Sequence, residues 1–115
     1  MEHSTLVASL CKPGEEIVDS LNSVSAHNLH MALGIAGEAG EVVDAVKKNV
    51  IYCKPVNREN VVEELGDLEF YMEGLRQGLG ITREECLAHN IAKLQKRYAS
   101  GAFSNKEAQL RSDKV

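Results

Sequence analysis

Two long stretches of the chain repeat apolar residues at the period of an α-helix, with no proline inside either, and this leaves few architectures open besides packed helices. From about Ser23 to Asn49, Ile35, Ala39, Val42 and Val46 fall on one arc at ~100° per residue, and Ala32, Ala36, Val43 and Val50 broaden it. From about Arg58 to Gln77, Val61, Leu65, Leu68, Met72 and Leu75 form a compact stripe that continues to Leu79. A shorter third stripe joins Leu87, Ile91, Leu94 and Tyr98. No segment alternates with the two-residue period of a half-buried strand. The expected fold class is all-α. Three amphipathic helices are few for a closed core, so a helical bundle of four-helix type, completed by homo-oligomerisation, is expected.

The punctuation between these stretches agrees. Asn22-Ser23 and Asn57 are placed to cap the two long helices. Thr82-Arg83-Glu84-Glu85 reads as a capping box for the third, after a stop at Gly78-Leu79-Gly80-Ile81. Gly101 ends that helix near Ser100, and Asn49 to Asn57, with Pro55, is a connector. Lys12-Pro13-Gly14 marks a turn, with a short helix expected from about Gly14 to Leu21. Residues 1–12 show only a weak pattern. The remainder, Ala102 to Val115, is polar and charged and expected to be loosely ordered, apart from Phe103, which is able to dock back. The 115 residues are expected to form one domain.

The acids on the two long helices are set unusually. Glu38 and Glu41 lie three residues apart, and after a gap of 22 residues Glu64 and Asp67 repeat the spacing. Residues three apart are neighbours on a helix surface. Both pairs sit at the edge of an apolar stripe, whereas Asp44 and Glu63 rotate away from it. One such pair alone is weak evidence, because acids at this spacing are common on solvated faces. Two pairs on helices expected to lie antiparallel could direct four carboxylates at one spot, which is unfavourable unless cations neutralise them. An all-oxygen donor set suits Mg²⁺, with Mn²⁺ as an alternative. A di-iron bundle site would need Glu-x-x-His, which the sequence lacks. Gly34, Gly37 and Gly40 bare the backbone on the same helix, either for tight helix packing or for a ligand.

Other side chains fit a phosphorylated substrate. Asn90, Lys93 and Arg97 lie together beside the third stripe, and a lysine and an arginine one turn apart are good phosphate partners. Read alone, they would be a solvated basic face near a helix C-terminus. His27 and His30 project along the Glu38–Glu41 side. His27 would stand ~16 Å from Glu38, too far to share a metal but within reach of the sugar or base of a nucleotide. A partly buried histidine with no ligand role fits His27 as well. His3 and His89 have no evident partner. The formal net charge of −4 argues against a general binder of polymeric nucleic acid. Neither a Gly-rich phosphate loop nor a dinucleotide fingerprint occurs. Three widely spaced cysteines, the lack of a basic-then-apolar N-terminus and the absence of a membrane-length apolar run point to a cytoplasmic protein with reduced thiols.

Glu38-x-x-Glu41, the gap, and Glu64-x-x-Asp67 together resemble the signature of the all-α nucleoside triphosphate pyrophosphohydrolases. Gly34-Ile35-Ala36-Gly37-Glu38-Ala39-Gly40-Glu41-Val42 and Asn90-Ile91-Ala92-Lys93-Leu94-Gln95-Lys96-Arg97-Tyr98 are most similar to the MazG branch in its short single-domain form. The resemblance covers about residues 25–103. It implies a bundle completed as a homodimer or homotetramer. It also implies Mg²⁺-dependent cleavage of (deoxy)nucleoside triphosphates between the α- and β-phosphates, as in housecleaning or control of nucleotide pools. By the same resemblance Glu38, Glu41, Glu64 and Asp67 would hold the metal, and Asn90, Lys93 and Arg97 would contact phosphates or sugar. His27 and Asn28 would lie near the base or sugar. The alternative from another class is a non-catalytic acidic helical interaction module. Release of orthophosphate instead of pyrophosphate would mark a third reading, an enzyme of another phosphorylated compound.

Overall fold

The computed structural model describes residues 1–101 and 103–110. Among the described residues six helices follow one another: α1 (His3–Leu10), α2 (Gly14–Ser20), α3 (Ser23–Ile51), α4 (Arg58–Leu79), α5 (Arg83–Arg97) and α6 (Asn105–Leu110). Among the described residues there is no strand, so the all-α expectation holds. The chain forms two compact units, Met1–Leu75 and the part from Arg76 onward.

In the first unit α3 starts where the sequence places its cap. The Asn22 side-chain oxygen accepts from the amides of Val24 and Ser25, each at 3.0 Å, and Ser25 Oγ accepts from the Asn22 amide at 2.9 Å. Three otherwise orphaned donors are thereby satisfied. The helix runs 29 residues, about 44 Å, and ends two residues beyond Asn49. Cys53 then turns the chain with a left-handed φ of 51°. Asn49 Nδ2 donates to the Lys54 carbonyl at 2.5 Å and closes this turn. Asn57 Oδ1 accepts from the Asn60 amide at 3.1 Å, so α4 is capped as expected.

Helices α3 and α4 are antiparallel neighbours. His27 Nε2 lies 2.9 Å from the Gly74 carbonyl. A Cβ at Gly74 would collide with Met31, and one at Gly34 with the ring of Tyr71. His30 meets Tyr71 edge-on, ring centres 6.0 Å apart. Further along, Glu38 meets Glu64 and Asp67. As α3 advances from 27 to 38, its partners in α4 fall from 74 to 64, as antiparallel pairing requires.

The apolar arc of α3 is only partly covered. Met31 and Ala45 are the buried apolar residues among those described. Val43 (64%), Val46 (49%) and Val50 (65%) remain exposed. The arc therefore faces outward within a single chain over its C-terminal half. Helix α1 lies where the sequence pattern is weak; its N-cap, Glu2, makes no side-chain capping bond and none of its residues is buried.

In the second unit the capping box of α5 forms as expected. Glu85 N donates to Thr82 Oγ1 at 3.1 Å and Thr82 N donates to Glu85 at 3.2 Å. Gly80 (φ 68°) and Gly101 (φ 77°) take the left-handed conformation that ends a helix. Part of the stretch expected to be loosely ordered is helical instead. Ser104 Oγ accepts from Glu107 N at 3.3 Å and starts α6, while Ser100 Oγ donates to Glu107 at 2.7 Å. Phe103 does meet Tyr98, ring centres 5.9 Å apart, yet stays 75% exposed. Ala102 and the tail beyond Leu110 lie outside the described residues.

Candidate metal centre

The two acid pairs lie on facing helices of the first unit. One carboxylate oxygen from each of Glu38, Glu64 and Asp67 falls within 4.8 Å of the others. Glu38 and Glu64 are half-buried and Asp67 is exposed. Glu41 stands outside this trio, one turn along α3, but its charge acts on Glu64 more strongly than that of any other acid. Burial first, then the charges of Glu41, Glu38, Asp67 and Glu63, hold the Glu64 carboxyl above its ordinary 4.5. Anions so crowded repel one another, and a divalent cation relieves that repulsion. The donors are all carboxylate oxygens, the set preferred by Mg²⁺ and Mn²⁺. The residues present thus fit such an ion.

The glycines near these acids divide by role. Gly34 brings α3 against Tyr71, so its bare backbone serves helix packing. Among the described residues nothing lies within 4 Å of a Cβ built at Gly37, Gly40 or Gly66. These three positions therefore face open space.

The predicted base-end residues lie toward the other end of the α3–α4 pair. His27 is exposed, and its Nε2 is engaged by the Gly74 carbonyl. Asn28 is half-buried, and its side-chain oxygen is enclosed without a hydrogen-bond partner. Such a group calls for a donor from a ligand or water. Asn90, Lys93 and Arg97 sit on one side of α5 in the second unit; Lys93 and Arg97 are half-buried. A cavity of about 510 Å³ there is lined by Ile81, Glu85, Cys86, His89, Asn90 and Lys93. Tyr71 was missed as an organiser of the site. Its place one turn beyond Asp67 on the same row of α4 was a usable signal, whereas its position opposite Gly34 depends on the register between the helices.

With this geometry in view, comparison with known proteins is decisive on family. Residues 25–101 match the model of the MazG nucleotide pyrophosphohydrolase domain. The chain belongs to the MazG nucleotide pyrophosphohydrolase family. The Gene 37 protein of Mycobacterium phage L5 is 32% identical over 95 residues, spanning 79% of this chain and 80% of the phage protein. No solved structure matches the chain. Helices α1 and α2 precede the matched region, and the four acids lie within it. Among the described residues, no helix is long and apolar enough to cross a membrane.

Proposed function

We propose that this MazG-family chain is a Mg²⁺-dependent nucleoside triphosphate pyrophosphohydrolase. It cleaves (deoxy)nucleoside triphosphates between the α- and β-phosphates to the monophosphate and pyrophosphate, as cytoplasmic housecleaning or control of nucleotide pools. The observation that carries this reading is the convergence of Glu38, Glu64 and Asp67 within 4.8 Å, with Glu41 beside them. It is supported by family membership and by the open space at Gly37 and Gly40.

In this reading Glu38, Glu41, Glu64 and Asp67 hold the Mg²⁺, with Mn²⁺ able to substitute. The bound ion supplies charge neutralisation at the phosphates and a more acidic water. The chain's own residues do the rest. A carboxylate of the cluster takes a hydrogen bond from the attacking water and orients it. Asn28 offers its enclosed oxygen to a donor on the sugar or base, and His27 stands beside it, held by the Gly74 carbonyl. Asn90, Lys93 and Arg97 provide donors for phosphate or sugar.

The active unit is a homodimer or homotetramer. The exposed valines of α3 support this, since Val42, Val43, Val46, Lys47, Val50 and Ile51 line an apolar groove of about 480 Å³. A second copy laid along it would supply the core that one chain lacks. Light scattering on the purified chain reads the mass directly.

A panel of ribo- and deoxynucleoside triphosphates with Mg²⁺, scored for pyrophosphate, tests the activity. Pyrophosphate release that falls at least about 100-fold in Glu38→Gln, Glu64→Gln and Asp67→Asn is expected. Turnover that survives in all three variants, or orthophosphate as the sole product, refutes it.

A further inference from the structure

The α3–α4 pair carries a second polar feature beyond the carboxylates. A cavity of about 520 Å³ is lined by Ala45, Lys48, Lys54, Pro55, Asn57 and Asn60. Two cations and two amides line it, and among the described residues no acid does. Its lining lies on the same helix rows as the acids. Ala45 and Lys48 follow Glu38 and Glu41 along the same row of α3, at spacings of four and three. Asn60 and Asn57 precede Glu64 along the matching row of α4, at spacings of four and three.

The backbone fixes the Lys54 side of the cavity. Cys53 takes a left-handed φ of 51°, a conformation uncommon for a residue with a side chain. Asn49 Nδ2 grips the Lys54 carbonyl at 2.5 Å. Ala45, 9% exposed, is the buried apolar member of the lining. On the rim, Lys48 Nζ reaches Asp44 at 3.1 Å, with both side chains about half exposed (56% and 50%). An exposed pair of this kind is weak and screened by salt, so a multiply charged anion displaces Asp44 readily.

Lys48 stands about 10 Å along α3 from Glu41, and Asn60 about 6 Å along α4 from Glu64. A flexible lysine stem shortens the first distance further. A polyphosphate held at the carboxylates has to extend somewhere. His27 and Asn28 lie toward one end of the helix pair and this cavity toward the other.

We propose that the Lys48–Lys54 cavity binds the terminal phosphates of the substrate, the part released as pyrophosphate. The proposal rests on the pyrophosphohydrolase reading for the identity of the substrate, while the anion site itself is testable without turnover. Lys48 and Lys54 provide point charges, and Asn57 and Asn60 provide amide donors. The arrangement favours triphosphates over diphosphates, because only a triphosphate reaches both the carboxylates and the lysines.

The test is calorimetric titration of inorganic pyrophosphate, with Mg²⁺, into the full chain. Lys48→Met, Lys54→Met and the double variant are compared with the Lys48→Arg/Lys54→Arg pair, with circular dichroism confirming the fold of each. Each methionine is expected to weaken pyrophosphate about tenfold, the loss of one charge-assisted contact. The arginine pair should return it to near the natural value, and nucleoside monophosphate binding should not change. In turnover, the double methionine variant should show a raised KM for triphosphate and a smaller preference over diphosphate. A chain that hydrolyses no nucleotide, yet loses pyrophosphate with the lysines, sustains the cavity and overturns the hydrolase reading. Full hydrolysis with unchanged KM and unchanged pyrophosphate affinity in the double variant overturns the cavity and leaves the hydrolase reading standing. No pyrophosphate binding to the natural chain overturns the cavity as well.

Discussion

Gly34 is the sharpest point at which the α3–α4 packing can be broken. A Cβ at this position would clash with the Tyr71 ring, against Cγ as well as Cδ1 and Cε1. Contact with Cγ matters, because the ring cannot escape by swinging its far end; χ1 itself must change. Overpacking of this kind costs ~1–3 kcal/mol. Alanine in mid-helix regains ~1 kcal/mol over glycine. Because the clash is at the root of the ring, the net loss for Gly34→Ala should be ~1–2 kcal/mol, or ~4–8 °C in Tm for a chain of this size. Gly37→Ala is the control, since nothing lies within 4 Å of its Cβ. It should stabilise by ~0.5–1 kcal/mol. Thermal unfolding at one fixed protein concentration measures both, which keeps any assembly constant. The decisive arm is a cycle with Tyr71→Ala. In that background Gly34→Ala should become neutral or stabilising, giving a coupling of ~1–3 kcal/mol. If Gly34→Ala costs nothing in the natural chain, or costs the same without Tyr71, the account of how α3 meets α4 is wrong.

Other perturbations read other parts of the structure. The Glu64 carboxyl is held above 4.5, so the folded, metal-free chain binds more protons than the unfolded one between the two pKa values. Its penalty is therefore full at neutral pH and is relieved as pH falls through the folded value toward 4.5; Glu64→Gln should raise the metal-free Tm at pH 7 and flatten this dependence, and an unchanged profile counts against the crowding. Glu107 has the opposite sign, lowered chiefly by the Ser100 hydroxyl, so its contribution to α6 is present at neutral pH and lost as pH falls through the lowered folded pKa. Ser100→Ala should move the Glu107 titration, followed by NMR, back up toward 4.5. Thr82→Ala removes one side of the α5 capping box and should cost ~1 kcal/mol in denaturant unfolding.

What the sequence made legible, and what it did not, divides by range of interaction. The caps at Asn22, Asn57 and Thr82 were readable because each is a bond within three residues, set by local backbone geometry. The start of α6 was equally local: Ser104 precedes Glu107 by three residues and carries a capping signal that the polar composition of the tail obscured. The four acids were readable as two pairs, since helical spacing alone sets each pair on one face. Their union was legible only as an expectation, because it depends on a register between helices that no spacing within one helix encodes. Packing at Gly34–Tyr71 and Met31–Gly74 sets that register, and there a missing side chain on one helix is matched by a large one on the other. A glycine in a helix is ambiguous until its partner is known: Gly34 and Gly37 look alike in sequence, yet one faces a ring and the other open space. The same logic extends to the apolar arc of α3. Its period predicts a buried face, and it could not reveal that one chain leaves Val43, Val46 and Val50 exposed. Periodicity states that a face wants burial and says nothing of which surface supplies it. Here the meeting of Glu38, Glu64 and Asp67 needs only α3 and α4 of one chain, whereas one chain leaves the valine face exposed. Mutations on the valine face should therefore shift assembly and stability, while the distances among Glu38, Glu64 and Asp67 are set within the chain by Gly34, Tyr71 and Gly74.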